Sequence, residues 1–74
     1  MAIVEVTTEV TGTVWKIESS AGDLLAAEDV ILILESMKME IPIEMPFAGK
    51  IIEILVEEEE SIDEDQTIAV IETS

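Results

Sequence analysis

Cysteine, histidine and tyrosine are all absent from this 74-residue chain. Without cysteine there is no disulfide framework and no thiolate metal site, a usage that fits a reducing compartment and sets the expectation of a cytoplasmic protein. Basic residues are nearly absent too: three stand against eighteen acids, for a formal net charge of −15. A uniformly acidic domain repels phosphate, so neither nucleic acid nor an anionic membrane surface is expected as a partner. Long apolar runs are also missing. The longest purely aliphatic stretch, residues 30–34, falls far short of the ~20 residues a transmembrane helix needs. The N-terminus lacks the basic segment and apolar stretch of a signal peptide. The acids have no base, metal-ligand set or second reactive group beside them, so no metal site and no catalytic constellation is expected.

What the chain does contain is aliphatic. Leu, Ile, Val and Phe make up about a third of it, above the level that marks disorder, so the acidic balance describes a surface rather than an unfolded chain. That surface keeps a small domain soluble, or favours partners with basic patches. Seventy-four residues make one domain, 1–74, near the lower limit for a chain that folds alone. The apolar positions Ile3, Val6, Val10, Val14, Ile17, Ile31, Ile33, Ile41, Ile43, Ile52, Ile54, Val56, Ile68 and Val70 are β-branched and mostly recur at period two, which predicts an all-β fold. Residues 23–29 could form a helical turn by propensity but are too few for a helix.

Sliding the chain against itself by 37 residues exposes a repeat. Gly12 falls on Gly49, Val14 on Ile51, Ile17 on Ile54, Leu25 on Ile62, Ile31 on Ile68, Ile33 on Val70, Leu34 on Ile71 and Glu35 on Glu72. A β-rich chain can match itself at some offset by chance, but here no gap is needed and two copies fill the chain. The pattern predicts two interlocking β units related by a pseudo-twofold, with Ile33 and Val70 as equivalent core-facing residues. Lys38 opens the second unit, equivalent to Met1. Its surroundings hold no Gly, Asn or Pro, and residues 35–45 alternate like one continuous strand. Length excludes that strand: residues 30–45 would reach roughly 53 Å, against a domain diameter of about 29 Å. The chain must therefore reverse, and the unit junction at Lys38 is the natural place. Pro42 then lies on the outgoing arm, where a missing N–H is tolerable at an edge or bulge.

The junction carries the run Glu35-Ser36-Met37-Lys38-Met39-Glu40. A lysine between two methionines resembles the attachment motif of the biotinyl/lipoyl domain family, in particular the small free-standing biotin carboxyl carriers of bacteria, and the likeness covers essentially all 74 residues. The resemblance implies a flattened β-barrel of two four-stranded antiparallel sheets with pseudo-twofold symmetry, and a modified lysine at an exposed hairpin tip. It implies that a biotin protein ligase links biotin to Lys38, with Met37 and Met39 as the attachment motif and Glu35, Ser36 and Glu40 as its flank. It further implies a non-catalytic carrier that moves a carboxyl group from a biotin carboxylase to a carboxyltransferase, commonly for an acyl-CoA acceptor. Two departures stand out. The family's Gly-Asp turn is matched by Gly22-Asp23 but replaced by Glu59-Glu60, and Glu28 and Asp65 also occupy places where glycine is common. A protruding thumb and a Pro/Ala-rich linker, found in some carriers, have no room here, which suggests a free-standing domain or one whose linker lies outside this chain.

Each of these features also has a plainer alternative. Alternating methionines on a strand are often core filler. Glu35 and Glu40 can be solvated acids, and the acidic run 57–60 a solvated loop with at most a weak divalent-metal site. Trp15 follows Val14 and points to the opposite face, half-exposed against Lys16 or a neighbouring strand. In place of a biotin carrier, the chain could be a lipoyl carrier, whose lysine usually follows Asp and precedes Ala. A third reading is an unmodified β-barrel serving only as an interaction module, which leaves Lys38 at the unit junction as a coincidence.

Overall fold

The period-two pattern resolves into eight strands in the computed structural model, which describes residues 2–73. They are β1 (Ile3–Thr7), β2 (Gly12–Ile17), β3 (Leu24–Leu25), β4 (Val30–Ser36), β5 (Met39–Glu44), β6 (Gly49–Ile54), β7 (Ser61–Ile62) and β8 (Thr67–Thr73). None of the described residues is helical; residues 23–29 hold the short β3 between two turns. The strands form two four-stranded sheets, ordered β1-β8-β6-β3 and β5-β4-β2-β7, with every pairing antiparallel. The all-β, two-sheet architecture is therefore as expected. Each sheet takes two strands from each half of the chain, so neither half can close a sheet alone. The molecule measures 36 × 18 × 17 Å, too short for residues 30–45 in one extended strand.

The 37-residue repeat is visible in three dimensions. Strands β2, β3 and β4 recur 37 positions later as β6, β7 and β8. The core pairs up in the same way: Val14 with Ile51, Ile31 with Ile68, Leu32 with Ala69 and Leu34 with Ile71, all fully buried. Gly12 and Gly49 open β2 and β6, each against the equivalent carbonyl. A β-carbon on Gly12 would lie 2.6 Å from the Glu35 oxygen, and one on Gly49 closer still to that of Glu72. Gly49 is thus a close-approach position inside the sheet, and Lys50 lies exposed within β6.

The turns repeat as well. Gly22 has φ 95°, and its equivalent Glu59 has 74°; Glu28 has 73°, and its equivalent Asp65 has 66°. The left-handed geometry survives at three non-glycine positions because identical hydrogen bonds hold it. The Gly22 N–H donates to the Ile51 carbonyl and the Glu59 N–H to the Val14 carbonyl, both at 2.7 Å. The Asp23 carboxylate accepts from the Ser20 N–H at 2.8 Å, and Glu60 from the Glu57 N–H at 3.0 Å. Glu58 accepts from the Ile17 N–H at 3.1 Å. Two acids of the 57–60 run therefore satisfy backbone donors, and the segment is a structured turn rather than merely a solvated loop.

One expected core position is corrected. Ile33 and Val70 are only half-buried, while Ile31, Leu32 and Leu34 are fully buried. The register between β4 and β5 shifts between Val30 and Leu32, leaving Ile31 as an extra, unpaired residue. A bulge reverses the in–out parity of everything beyond it. Leu32 and Leu34 then face inward, and Ile33 faces outward.

Candidate functional site

Ser36 pairs with Met39 across the β4–β5 ladder, so only Met37 and Lys38 remain to reverse the chain. The reversal falls at Lys38, as the length argument requires, and Pro42 lies on β5, a sheet edge. Both central residues of a two-residue hairpin with this twist need positive φ, which is why Asn-Gly is the usual sequence there. Met37 and Lys38 adopt it without glycine, at 52° and 66°. Such backbone costs an L-residue about 1–2 kcal/mol each and persists where the surroundings over-determine it. Two features do so here. The buried Leu34 pairs with Ile41 just below the turn. The Ser36 hydroxyl also donates to the Thr11 carbonyl at 2.9 Å, tying the hairpin base to the 8–11 crossover.

The turn presents its side chains to solvent. Met37 is 92% exposed and Met39 64%, whereas Met45, elsewhere in the chain, is 2% exposed and fills the core. The core-filler alternative therefore describes Met45 and fails for the pair beside Lys38. Lys38 itself is exposed and makes no hydrogen bond or ion pair among the described residues. The other lysines are placed differently: Lys16 lies in β2 with its Nζ 3.4 Å from a Glu18 carboxylate oxygen, and Lys50 lies in β6. Glu35 and Glu40 stand directly opposite each other across the hairpin, both exposed. Trp15 is 49% exposed beside the buried Val14. Thr11 and Gly12, which brace the hairpin, escape sequence reasoning. The Gly12/Gly49 match is visible in the chain, but the carbonyl each glycine approaches is not.

The hairpin and the chain ends occupy opposite ends of the barrel. The Thr73 N–H donates to the Ala2 carbonyl at 2.9 Å. From there β1 leads away, and residues 8–11 deliver the chain to Gly12, beside Glu35. The equivalence of Lys38 with Met1 falls on a residue outside those described. A solvent-open groove of about 660 Å³ runs between the edge strands β1 and β5, lined by Val4, Val6, Val10, Ile41, Ile43 and Phe47 among others. Among the described residues no group of three or more acids is placed to hold a metal ion, and no helix is long and apolar enough to cross a membrane. The arrangement offers one unencumbered primary amine on a projecting turn, with no neighbouring base.

Known proteins share both sequence and fold with this chain. The profile of the biotin/lipoyl family, described as "Biotin-requiring enzyme", matches residues 2–71. Over 63 residues the chain is 35% identical to a biotin/lipoyl attachment protein of Bacillus subtilis, covering 85% of this chain and 86% of that protein. A biotinylated protein TB7.3 homolog of Mycobacterium leprae is 37% identical over 67 residues, 90% of this chain and 94% of that one. The urea amidolyase of Saccharomyces cerevisiae is 42% identical over 65 residues, 88% of this chain but only 4% of that much longer protein. Among solved structures, the urea carboxylase of Kluyveromyces lactis superposes with a TM-score of 0.91 at 29% identity, over 97% of this chain and 6% of that one. The lipoyl domain of the 2-oxoglutarate dehydrogenase complex from Azotobacter vinelandii shares the fold, with a TM-score of 0.75 at 20% identity over 88% of this chain and 84% of that domain. With that profile spanning nearly every described residue, the chain belongs to the biotin/lipoyl attachment family, whose domains are carriers rather than catalysts.

Proposed function

We propose that this chain, a single domain over residues 1–74, is a biotin carrier and that Lys38 is its attachment residue. The observation that carries the proposal is an uncommitted lysine at the tip of a two-residue hairpin between two solvent-facing methionines. The site suits a covalently held group: the amine is exposed, and nothing beside it would have to be displaced. The long, flexible lysine stem serves as a tether that holds an acyl group clear of the barrel. A lysine ammonium is a poor nucleophile at neutral pH, so a biotin protein ligase must supply the activated biotinyl group and the base. The base removes one proton from the ammonium to free the amine, an amide forms between the biotin carboxyl carbon and Nζ as the activating group leaves, and Nζ gives up a second proton. Met37 and Met39 give that enzyme an exposed apolar grip, the Ser36 hydroxyl ties down the hairpin that presents it, and Glu35 and Glu40 flank it as exposed acids.

Bound there, biotin supplies a centre that takes up a carboxyl group at a biotin carboxylase and gives it up at a carboxyltransferase. Tethering replaces free diffusion with a high effective concentration at each enzyme. One relative named as a biotinylated protein and one solved urea carboxylase support the biotin assignment over lipoate. The acceptor is proposed to be an acyl-CoA or another small acyl or amide substrate, and the cytoplasm, where such enzymes meet their carriers, is the proposed location. The test is coexpression with a biotin ligase followed by intact-mass analysis. One biotin per chain is expected, lost in Lys38→Arg while the thermal melt stays within the ~0.5 kcal/mol typical of exposed changes. Biotin retained in Lys38→Arg, or a lipoyl mass on protein from the native host, would overturn the proposal.

A further inference from the structure

The pseudo-twofold provides an internal control for every surface residue, since its equivalent shows what the fold alone requires. We propose that the outer face of the β5-β4-β2-β7 sheet, centred on Trp15, Ile33 and Pro42 and flanked by Glu35 and Glu40, is the docking surface for the biotin carboxylase. This inference rests on the carrier function proposed above.

Three observations point to the face. Trp15 sits at a bulge in β2, where the register against β4 shifts between Val14 and Lys16, and it is half-exposed while Val14 is buried. Its equivalent Ile52 sits at the matching bulge in β6. The fold therefore asks only for an aliphatic residue at this place, and the indole is surplus to it. Ile33, outward-facing on β4, pairs with Pro42 on the edge strand β5 and with Lys16 on β2, next to the bulged Trp15, so apolar residues stand on three adjacent strands, with Lys16 among them held towards the Glu18 carboxylate at 3.4 Å. The equivalent of Pro42 is Glu5 on the other sheet.

Charge gives the third observation. Glu35 and Glu40 face each other directly, an arrangement that destabilises a strand pair. Their equivalents, Glu72 and Ile3, are also directly paired, but carry only one acid. The second acid is therefore no requirement of the fold, and it finds a purpose if a cation from a partner enters between the two. A biotin carboxylase uses ATP and bicarbonate, both anions, which favours an electropositive mouth to its active site. An apolar centre with an acidic flank on the carrier is complementary to such a mouth, and buried tryptophans are the commonest anchors of protein interfaces. Pro42 lies four residues, about 13 Å, along β5 from Lys38, so one partner can cover the face and still reach the tethered group.

The test uses the full chain, biotinylated, with the biotin carboxylase of the same host, ATP and bicarbonate. Wild type is compared with Trp15→Ile, which imports the residue of the equivalent position, with Glu40→Gln, and with Ile52→Ala on the opposite sheet. Thermal melts and intact mass establish that each variant is folded and carries one biotin. Trp15→Ile is expected to raise the KM for carrier about tenfold with kcat retained, Glu40→Gln to raise it less and more weakly at high salt, and Ile52→Ala to leave it unchanged. The indole emission of wild type should shift on adding the carboxylase. A folded, biotinylated Trp15→Ile chain with the wild-type KM overturns the docking face alone. Loss of biotinylation in folded Trp15→Ile assigns the face to the ligase and overturns the choice of occupant. A wild-type chain that takes no biotin overturns the carrier function, and this inference with it.

Discussion

Glu28, Met37, Lys38, Glu59 and Asp65 all hold positive φ, torsions that a β-carbon disfavours. At Glu59 and Asp65 the cost is offset by turn hydrogen bonds that a glycine would also make, so the side chain contributes nothing to the geometry. Glu28 is the cleanest case, being exposed, with a carboxylate that takes part in no hydrogen bond among the described residues. Glu28→Gly should therefore raise stability by about 1 kcal/mol, read as a higher urea midpoint at unchanged slope. Glu28→Ala serves as the control, since it removes the same negative charge but keeps the β-carbon. A gain of the same size in the alanine variant would mean that charge, not backbone strain, governs this position. At Met37 and Lys38 the same strain serves a different end. A tight turn keeps the lysine at the tip of the barrel, where a longer and looser loop would let it wander.

Strand β4 shows how one bulge redistributes the core. Leu32→Ala should cost about 2–5 kcal/mol, the range for an aliphatic residue emptied from a packed interior, because Leu32 is fully buried opposite Ile43 and Ile17. Ile33→Ala, one residue along and only half-buried, should cost clearly less. Equal losses in denaturant melts would contradict the outward placement of Ile33. The start of β6 is constrained from the other direction. A β-carbon at Gly49 meets the backbone of Glu72 rather than a side chain that could swing aside. Gly49→Ala should therefore destabilise by about 1–3 kcal/mol, as over-packing does. Gly12→Ala should do likewise, since it meets the Glu35 carbonyl at the base of the hairpin, and the two losses should match if the halves are mechanically equivalent. A tolerated alanine at either site would show that these strands can separate without penalty.

Over the whole molecule the main non-specific force opposing the fold's burial of apolar surface, beyond chain entropy, is self-repulsion. A net charge of −15 is spread over a barrel 36 × 18 × 17 Å, and the one ion pair among the described residues, Lys16 with Glu18, is exposed and contributes little. Salt screens charges beyond about 8 Å at physiological strength. The melting temperature should consequently rise between low and moderate salt, most steeply at the low end. A flat calorimetric response over that range would mean that the acids are already spaced widely enough, or engaged by backbone donors as Asp23, Asp29, Glu58 and Glu60 are, for repulsion not to matter. Biotinylation at Lys38 would remove one of the three cations, so the modified form should respond to salt slightly more strongly.

Strand character, the division into two 37-residue units, the need for a reversal near Lys38 and the lysine–methionine motif are all legible in the chain, because they rest on local chemistry, on pattern period and on length. Period two among β-branched residues needs no partner to be recognised, and sixteen extended residues cannot fit inside a small barrel whatever the fold. Side-chain direction along β4 was not legible. It depends on the bulge at Ile31, and a bulge belongs to the pairing of two strands rather than to either one. The left-handed turns at Glu28, Glu59 and Asp65 follow the same logic, since their sequences argue against such geometry and cross-chain hydrogen bonds impose it. The exposure of Met37 and Met39, which removes the core-filler reading, was likewise decided only when β4 and β5 paired so closely that two residues were left to turn the chain.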